Sequence, residues 1–120
     1  MEEFRFTRWP VYQEAKALIK ATFAVTGRFP VQARHDFGSQ INRAAVSIAL
    51  NIAEGSGKNS DKDFNHFLNI SVGSLNETLA ALDIARDNQL ITESDFKSFE
   101  NHLISISKQL GGFKKKLTNS

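Results

Sequence analysis

The sequence predicts an all-α protein whose helices pack as an antiparallel up-and-down four-helix bundle. Apolar residues recur at helical spacing in four segments, and no segment shows the apolar–polar alternation of a half-buried strand. Both prolines, Pro10 and Pro30, fall at segment boundaries, and the connections between segments are short. Four helices with short connections favour antiparallel neighbours, so we expect residues 1–120 to form one bundle domain.

The first helix is predicted over residues 10–27. Pro10 suits the first helical position, where its missing N–H would have no intrahelical partner. Gly27 suits a C-cap. The residues that follow, RFPVQARH, are expected to form a connection, because Pro30 prevents a helix from continuing through it.

The second helix is predicted over residues 36–55, with Asp36 as its N-cap. Its apolar residues cover almost the whole circumference, whereas a surface helix leaves one side to water. A second burying surface is therefore expected, and in a chain this short we expect it to be another subunit. The residues assigned to this subunit interface are Val46, Ala49, Leu50 and Ala53.

A narrow polar line interrupts the apolar surface of the second helix. Its members are Gln40, Arg43, Ser47, Asn51 and Glu54. On the third helix, Glu77 lies among small and apolar residues, and an unpaired buried charge is costly. We therefore expect an Arg43–Glu77 ion pair, with Ser47, Asn51 and Ser74 completing a hydrogen-bonded network. Such a network either fixes helix register or a subunit interface, or forms an active site or an RNA-contacting groove.

The third and fourth helices are predicted over residues 60–87 and 92–117. Each begins with a capping pattern, in which Ser60 or Thr92 is followed three residues later by an aspartate. The fourth helix also carries apolar residues at alternating spacings of three and four, a heptad seam that indicates helix packing.

Charge is unevenly distributed along the chain, although the net charge is only +2. Basic residues favour the two ends of the chain, and the third quarter is acidic. The residues predicted to contact nucleic acid are Arg28, Arg34, Lys58, Lys62, Lys114, Lys115 and Lys116. Two interpretations remain open: these residues form a basic face, or the terminal lysines simply complement the dipole of the last helix.

Several kinds of functional site are not expected. His35, His66 and His102 have no acidic or His residue three or four positions later, so neither a metal site nor a cofactor is predicted. The stretch GSGKNS, residues 55–60, lacks the spacing of a phosphate-binding loop and follows a helix. No catalytic residue or small-molecule substrate is assigned, because no nucleophile–base set or catalytic carboxylate pair stands out.

The cellular setting is predicted from what the sequence lacks. It contains no cysteine, its N-terminus does not have the apolar region of a signal peptide, and no stretch approaches the length of a membrane span. We therefore expect a cytoplasmic protein with no membrane partner.

Two long motifs carry a family resemblance. They read Q-I-x-R-A-A-x-S-I-x-x-N-I-A-E-G at residues 40–55 and F-x-x-F-L-x-I-S-x-G-S-L-x-E-T at residues 64–78. The chain resembles the small bacterial four-helix bundle proteins, also called large-subunit (23S) rRNA intervening-sequence proteins. The resemblance extends from the Trp9-Pro10 region to Leu110-Gly111-Gly112.

The resemblance implies a four-helix bundle that assembles as a ring-shaped homopentamer. Some members are encoded within intervening sequences of large-subunit rRNA genes. A related protein assists reverse transcription in diversity-generating retroelements and binds nucleic acid through a basic surface. The family has no defined catalytic residue, so none is carried over to this chain.

Three functions follow as hypotheses. The first is a non-enzymatic homo-oligomer that binds RNA or another nucleic acid. The alternative is a protein-interaction scaffold that docks a reverse transcriptase or a ribosome-associated partner. The third, an enzyme that uses Glu54 and Glu77 as acid–base groups, has no nucleophile or metal set to support it.

Overall fold

The computed structural model describes residues 4–118, and the described chain is helical with no strand, which confirms the all-α prediction. A 3-10 turn, Arg5–Arg8, precedes the first long helix. The four long helices are α1 (Pro10–Thr26), α2 (Ser39–Ser56), α3 (Asp61–Asp87) and α4 (Glu93–Thr118).

Neighbouring helices run antiparallel, because their contacts pair residues in opposite order along the chain. Ser47 in the middle of α2 meets Ser74 in the middle of α3. Gly55, near the end of α2, packs against Phe64, near the start of α3. The predicted up-and-down bundle is therefore the fold of this chain.

The second helical segment begins earlier than the sequence predicts. One α-helical turn, Val31–Ala33, follows Pro30 directly, and a π-helical stretch, Arg34–Gly38, leads from it into α2. The expected connection is thus confirmed for residues 28–30 and wrong from Val31 onward, since Pro30 bars a helix that passes through it but not one that starts just after it. Asp36 is not an N-cap. It lies within the π-helical stretch and accepts a 2.6 Å hydrogen bond from Gln32 Nε2.

Side-chain caps begin both of the last two helices, as predicted. The backbone N–H of Asp63 donates to Ser60 Oγ at 3.1 Å. At the start of α4, the N–H of Asp95 donates to Thr92 Oγ1 at 2.9 Å, and the N–H of Thr92 donates back to Asp95 Oδ2 at 3.2 Å. These bonds satisfy N–H groups that have no partner within the helix.

One continuous hydrophobic core runs along the bundle and includes the apolar seam of α4. Two helices of this core approach closely at Gly55 of α2. A Cβ added there would lie 2.8 Å from Phe64 Cδ1 and 3.0 Å from Phe67 Cβ, so only glycine fits without a shift. This contact holds the aromatic start of α3 against the end of α2.

The molecule is elongated, with extents of 46 × 23 × 20 Å, and its two ends contain different parts of the chain. At the first end, the rings of Trp9, Phe64 and Phe113 pack together, with centroids 4.9–6.1 Å apart. At the second end, Arg28 approaches Asp95. The first end comprises residues 4–10, 54–64 and 113–118, and the second comprises residues 26–38 and 83–96.

Candidate nucleic-acid interface

The predicted nucleic-acid-binding residues do not share one face of the single chain, because they are divided between its two ends. Arg28 and Arg34 lie at the second end. The remaining five lie at the first end: Lys58, Lys62, Lys114, Lys115 and Lys116. The two groups are thus separated along a molecule that is 46 Å long.

The first end is strongly basic. Arg5 and Arg8 join the five lysines there, so its described residues include seven basic side chains. Its acidic residues in the described chain are Glu54, Asp61 and Asp63. We call this region, residues 4–10, 54–64 and 113–118, the basic end. Its excess of positive charge is the kind of surface that attracts a phosphate backbone.

The second end is acidic, and its arginines have local partners. We call residues 26–38 and 83–96 the acidic end, since five acidic residues face three arginines there in the described chain. Arg28 lies 3.8 Å from Asp95, and Arg34 donates a 3.2 Å hydrogen bond to the backbone oxygen of Phe29. A phosphate that approached either arginine would meet surrounding negative charge, which favours the basic end instead.

Aromatic side chains are interleaved with the positive charges of the basic end. Phe4 is 56% exposed at this end. Lys58 places its Nζ 5.0 Å from the ring centre of Phe67, and the same Nζ lies 3.1 Å from Glu54 Oε2. This end therefore combines rings and cations, the combination used by proteins that bind single-stranded nucleic acid.

A groove of about 450 Å³ opens at the basic end, between the N-terminal turn and α2. We call it the N-terminal groove, and its lining residues are Phe4, Phe6, Leu50, Ala53, Glu54, Gly57 and Lys58. Thr7 Oγ1 donates a 2.8 Å hydrogen bond to the backbone oxygen of Phe4. The backbone N–H of Trp9 donates to the backbone oxygen of Phe6. These bonds shape the turn that carries both phenylalanines to the rim of the groove.

Part of the predicted polar network is present between α2 and α3. The hydroxyl oxygens of Ser47 and Ser74 lie 2.7 Å apart, and Asn51 Nδ2 donates to Ser47 Oγ at 3.0 Å. Below them, buried Ser71 donates to the backbone oxygen of Ile48 at 2.9 Å. Glu54 belongs to a different contact, since it pairs with Lys58 at the basic end.

The expected Arg43–Glu77 ion pair is wrong for the single chain. Both residues line a second groove of about 480 Å³ beside Gln40, but the ion pairs of the described residues do not join them. Glu77 is exposed rather than partly buried. The physical reason is that its small neighbours Gly73 and Ala80 are also on the exposed side of α3, so they do not enclose it.

The residues predicted for a subunit interface differ in their burial. Leu50 is 61% exposed, and Val46 and Ala53 are half-buried, so a second subunit can reach them. Ala49 is only 4% exposed and belongs to the core of its own bundle. Ala49 is therefore removed from the predicted interface, because its side of α2 already faces another helix of the same chain.

A polar cluster between α1 and α4 was missed by sequence reasoning. Glu14 Oε1 accepts hydrogen bonds from Ser105 Oγ at 2.8 Å and from Gln109 Nε2 at 2.7 Å. His102 Nε2 lies 3.7 Å from the other carboxylate oxygen. Because Ser105 and Gln109 are 91 and 95 positions from Glu14 along the chain, no local pattern reveals the cluster.

Arg5 and Arg8 were also missed, although a signal for them existed. They lie within five residues of Pro10, and an antiparallel bundle places the start of α1 beside the lysine-rich end of α4. Combining the predicted topology with the charge pattern would have assigned both arginines to the same end as the lysines.

Two classes of site find no support in residues 4–118. No group of three or more His, Cys, Asp or Glu side chains among them is arranged to hold a metal ion. None of their helices combines the length and the apolar composition that a membrane span requires.

Comparison with known proteins gives one family and a related fold. The sequence pattern of the 23S rRNA-intervening sequence proteins matches residues 7–112. A solved structure from Bacteroides thetaiotaomicron VPI-5482, a protein of unknown function from the S23 ribosomal protein family, is 28% identical. It superposes with a TM-score of 0.78, over 88% of this chain and 98% of its own. No curated protein matches the chain.

Proposed function

The chain belongs to the 23S rRNA-intervening sequence protein family, and on that basis we propose that it is a homo-oligomeric, non-enzymatic bundle that binds RNA or another nucleic acid through its basic end. The observation that carries the proposal is the sorting of charge along the bundle. Seven basic side chains gather with three acidic ones at one end of the described chain, whereas acidic residues outnumber arginines at the other.

The expected interaction is mainly with the phosphate backbone. Lysine and arginine side chains that neutralise phosphates release bound counterions, so affinity falls steeply as salt rises. A net charge of only +2 gives weak attraction at long range. The local excess at the basic end gives a stronger attraction over the short distance at which charges act in physiological salt.

Self-association is the second part of the proposal. Leu50, half-buried Val46 and half-buried Ala53 provide an apolar strip on α2 that a neighbouring subunit would cover. A homopentameric ring is the assembly implied by the family resemblance. Repetition of the basic end around such a ring would raise a weak single-site affinity through multivalency.

The proposal that the protein is not an enzyme rests on the positions of the two candidate carboxylates. Glu54 lines the N-terminal groove and pairs with Lys58, while Glu77 lines the other groove, between α2 and α3. The two therefore do not share one cleft, as an acid–base pair acting on one substrate would. We also propose a cytoplasmic location, where an RNA partner would be available.

The test is a fluorescence-anisotropy titration of nuclease-treated protein with labelled RNA across a salt series, with DNA of the same sequence as a comparison. We expect binding at low salt whose logarithmic dependence on salt is steep. Absence of binding at the lowest salt would contradict the proposal. It would favour the protein-interaction scaffold, which partner capture resistant to nuclease and high salt would then test.

A further inference from the structure

We propose that the face formed by α2 and α3 binds the same face of a second copy of this chain, with Arg43 of each copy paired to Glu77 of the other. This inference rests on the self-association in the proposed function, and it specifies which surfaces meet and in which register. It follows from three features of this face: two opposite charges without partners, two rows of residues with the same spacing, and a twofold relation between those rows.

Arg43 and Glu77 are opposite charges that line one groove and have no ion-pair partner within residues 4–118. Both side chains are exposed. They lie at nearly the same level of the bundle, because Ser47 meets Ser74 and the two helices run in opposite directions. The face therefore presents a cation and an anion side by side, and a copy of the same face can satisfy both.

Each of these charges belongs to a row of exposed or half-buried residues along its own helix. We call them the α2 row, which is Ser39, Arg43, Val46 and Leu50, and the α3 row, which is Gly73, Glu77, Ala80 and Ile84. In both rows the steps are four, three and four residues, a spacing that keeps the members on one side of a helix. The residue types also follow the same order: a small residue, a charge, an apolar residue and a large apolar residue. The large apolar residues, Leu50 and Ile84, are 61% and 49% exposed.

The two rows are related by a half-turn within the single chain. Because α2 and α3 are antiparallel, the rows run in opposite directions from the level of Arg43 and Glu77. A twofold axis between these two residues therefore places each row of one copy over the other row of the second copy. The residue pairs that it brings together are Ser39–Gly73, Arg43–Glu77, Val46–Ala80 and Leu50–Ile84. Such a contact uses the same patch on both copies, so each pair, including the ion pair, occurs twice.

Gly73 provides independent support for a close contact on α3. A Cβ added there would meet nothing within 4 Å in the single chain, so packing inside the bundle does not require glycine at this position. Glycine also weakens a helix relative to alanine. Opposite Ser39 of a second copy, however, glycine allows the two helices to approach closely. A larger side chain there would separate the copies without disturbing the fold of either.

This contact is compatible with RNA binding at the basic end. It covers Val46 and Leu50, and the α2 row ends before the part of the basic end formed by residues 54–64. The half-turn also directs the two basic ends away from each other, so both stay open. A ring of five cannot close through this contact, because ring contacts join two different surfaces. Such a ring would use other parts of the chain, and the twofold contact would then join two rings.

The test combines charge reversal with mixing. Arg43→Glu and Glu77→Arg are purified separately, and sedimentation measures the self-association of the wild type, of each variant alone and of an equimolar mixture. Alone, each variant places like charges opposite each other at both ion-pair positions, so we expect its self-association to weaken by about tenfold or more. In the mixture, the introduced carboxylate faces the introduced guanidinium, and the unchanged Arg43 faces the unchanged Glu77. Association should therefore return to near the wild-type value.

A second pair of variants tests the close approach at Gly73. Gly73→Gln should weaken self-association, because its side chain would lie between the two copies. Gly111→Gln is the matched control, since a Cβ at Gly111 also meets open space and this residue lies on α4. The control should associate as the wild type does. Circular dichroism should show unchanged helicity for all four variants, which separates a lost contact from a lost fold.

The results that would overturn the inference are distinguishable from failure of the proposed function. A mixture that associates no better than its two components, or equal behaviour of Gly73→Gln and Gly111→Gln, removes the twofold contact but leaves self-association standing. An odd number of copies that falls when Leu50 is replaced by glutamate assigns the strip on α2 to a ring contact instead. A wild type that stays monomeric at every concentration removes the proposed self-association together with this inference, while RNA binding by the basic end is measured separately by anisotropy.

Discussion

Ser47 and Ser74 face each other across the α2–α3 contact with their hydroxyl oxygens 2.7 Å apart. Each is tied to its own helix as well: Asn51 donates to Ser47, and Thr78 Oγ1 donates to the backbone oxygen of Ser74 at 2.7 Å. A hydroxyl pair at this position forms only when the two helices are in one axial register. It therefore selects that register among the many in which apolar faces would pack.

Replacement of Ser74 by alanine tests this contact. We expect the free energy of unfolding to fall by about 0.5–1.5 kcal/mol, because a part-buried hydrogen bond is lost while Ser47 stays polar. Urea denaturation measures the change, and exposed Ser107→Ala on α4 serves as the control. In the Ser47→Ala/Ser74→Ala double variant, the loss should be less than the sum of the single losses. Strict additivity would show that the two hydroxyls are not coupled.

Alanine substitutions at Gly55 and Gly111 should change the free energy of unfolding in opposite directions. Gly55→Ala should lower the free energy of unfolding by about 1–3 kcal/mol, since the new methyl group would overlap Phe64 and Phe67. Gly111→Ala, in open space on α4, should raise it by about 0.5–1 kcal/mol through helix propensity alone. Thermal and urea unfolding check both values. A stabilised Gly55→Ala protein would mean that α2 and α3 are not in close contact there.

Glu14 is expected to be a main polar link between α1 and α4. Glu14→Ala leaves Ser105 and Gln109 without their shared acceptor, so we expect a loss of about 1–3 kcal/mol in the free energy of unfolding. The comparison is Lys108→Ala, an exposed position on α4 whose change should stay within about 0.5 kcal/mol. If the two variants have the same free energy of unfolding, the cluster does not stabilise the contact between α1 and α4.

Leu50→Glu should dissociate the oligomer if α2 forms a subunit interface. A carboxylate placed in a dry contact loses its hydration without gaining a partner, while in the single chain the same position is 61% exposed. Size exclusion with light scattering should show a smaller species with unchanged helicity. Ile104→Glu, at a 47% exposed position on α4, is the matched control. A Leu50→Glu oligomer of wild-type size would contradict the interface.

The two groups of basic residues should differ in their effect on RNA binding. Replacement of Lys114, Lys115 and Lys116 by alanine should weaken binding and lower the logarithmic salt slope on single strands by up to about 2, since each phosphate contact contributes about 0.7. Arg28→Ala/Arg34→Ala, at the acidic end, should leave the slope unchanged. A larger effect of the arginine pair would place the interface at the opposite end of the bundle.

Local patterns predicted most of the fold. Helix caps at Ser60 and Thr92 act within three residues, so their sequence signals were sufficient. The predicted start of the second helical segment was wrong, because a proline has the same local signature when it interrupts a helix and when it precedes one. The π-helical stretch Arg34–Gly38 had no signal that periodicity reveals, since one extra residue per turn only shifts the phase of the pattern.

Less of the candidate site than of the fold could be predicted from the sequence. Ser47 and Ser74 were correctly brought together, because both were assigned to one polar network between two helices. Arg43 and Glu77 were paired on the assumption that small neighbours mean burial, and small residues are equally compatible with an open surface. The separation of basic and acidic ends depends on which helix termini meet, a property of topology that residue counts along the chain do not contain.

An elongated body with opposite charge at its two tips carries an electric dipole along its long axis. A polyanion attracts one tip and repels the other, so the protein should meet RNA end-on, with the 23 × 20 Å cross-section rather than the 46 Å length as its footprint. At about 3.4 Å per nucleotide step, that footprint spans about six steps. In a ring whose subunits point the same way, these footprints would line a single rim, whereas alternating subunits would divide them between opposite rims.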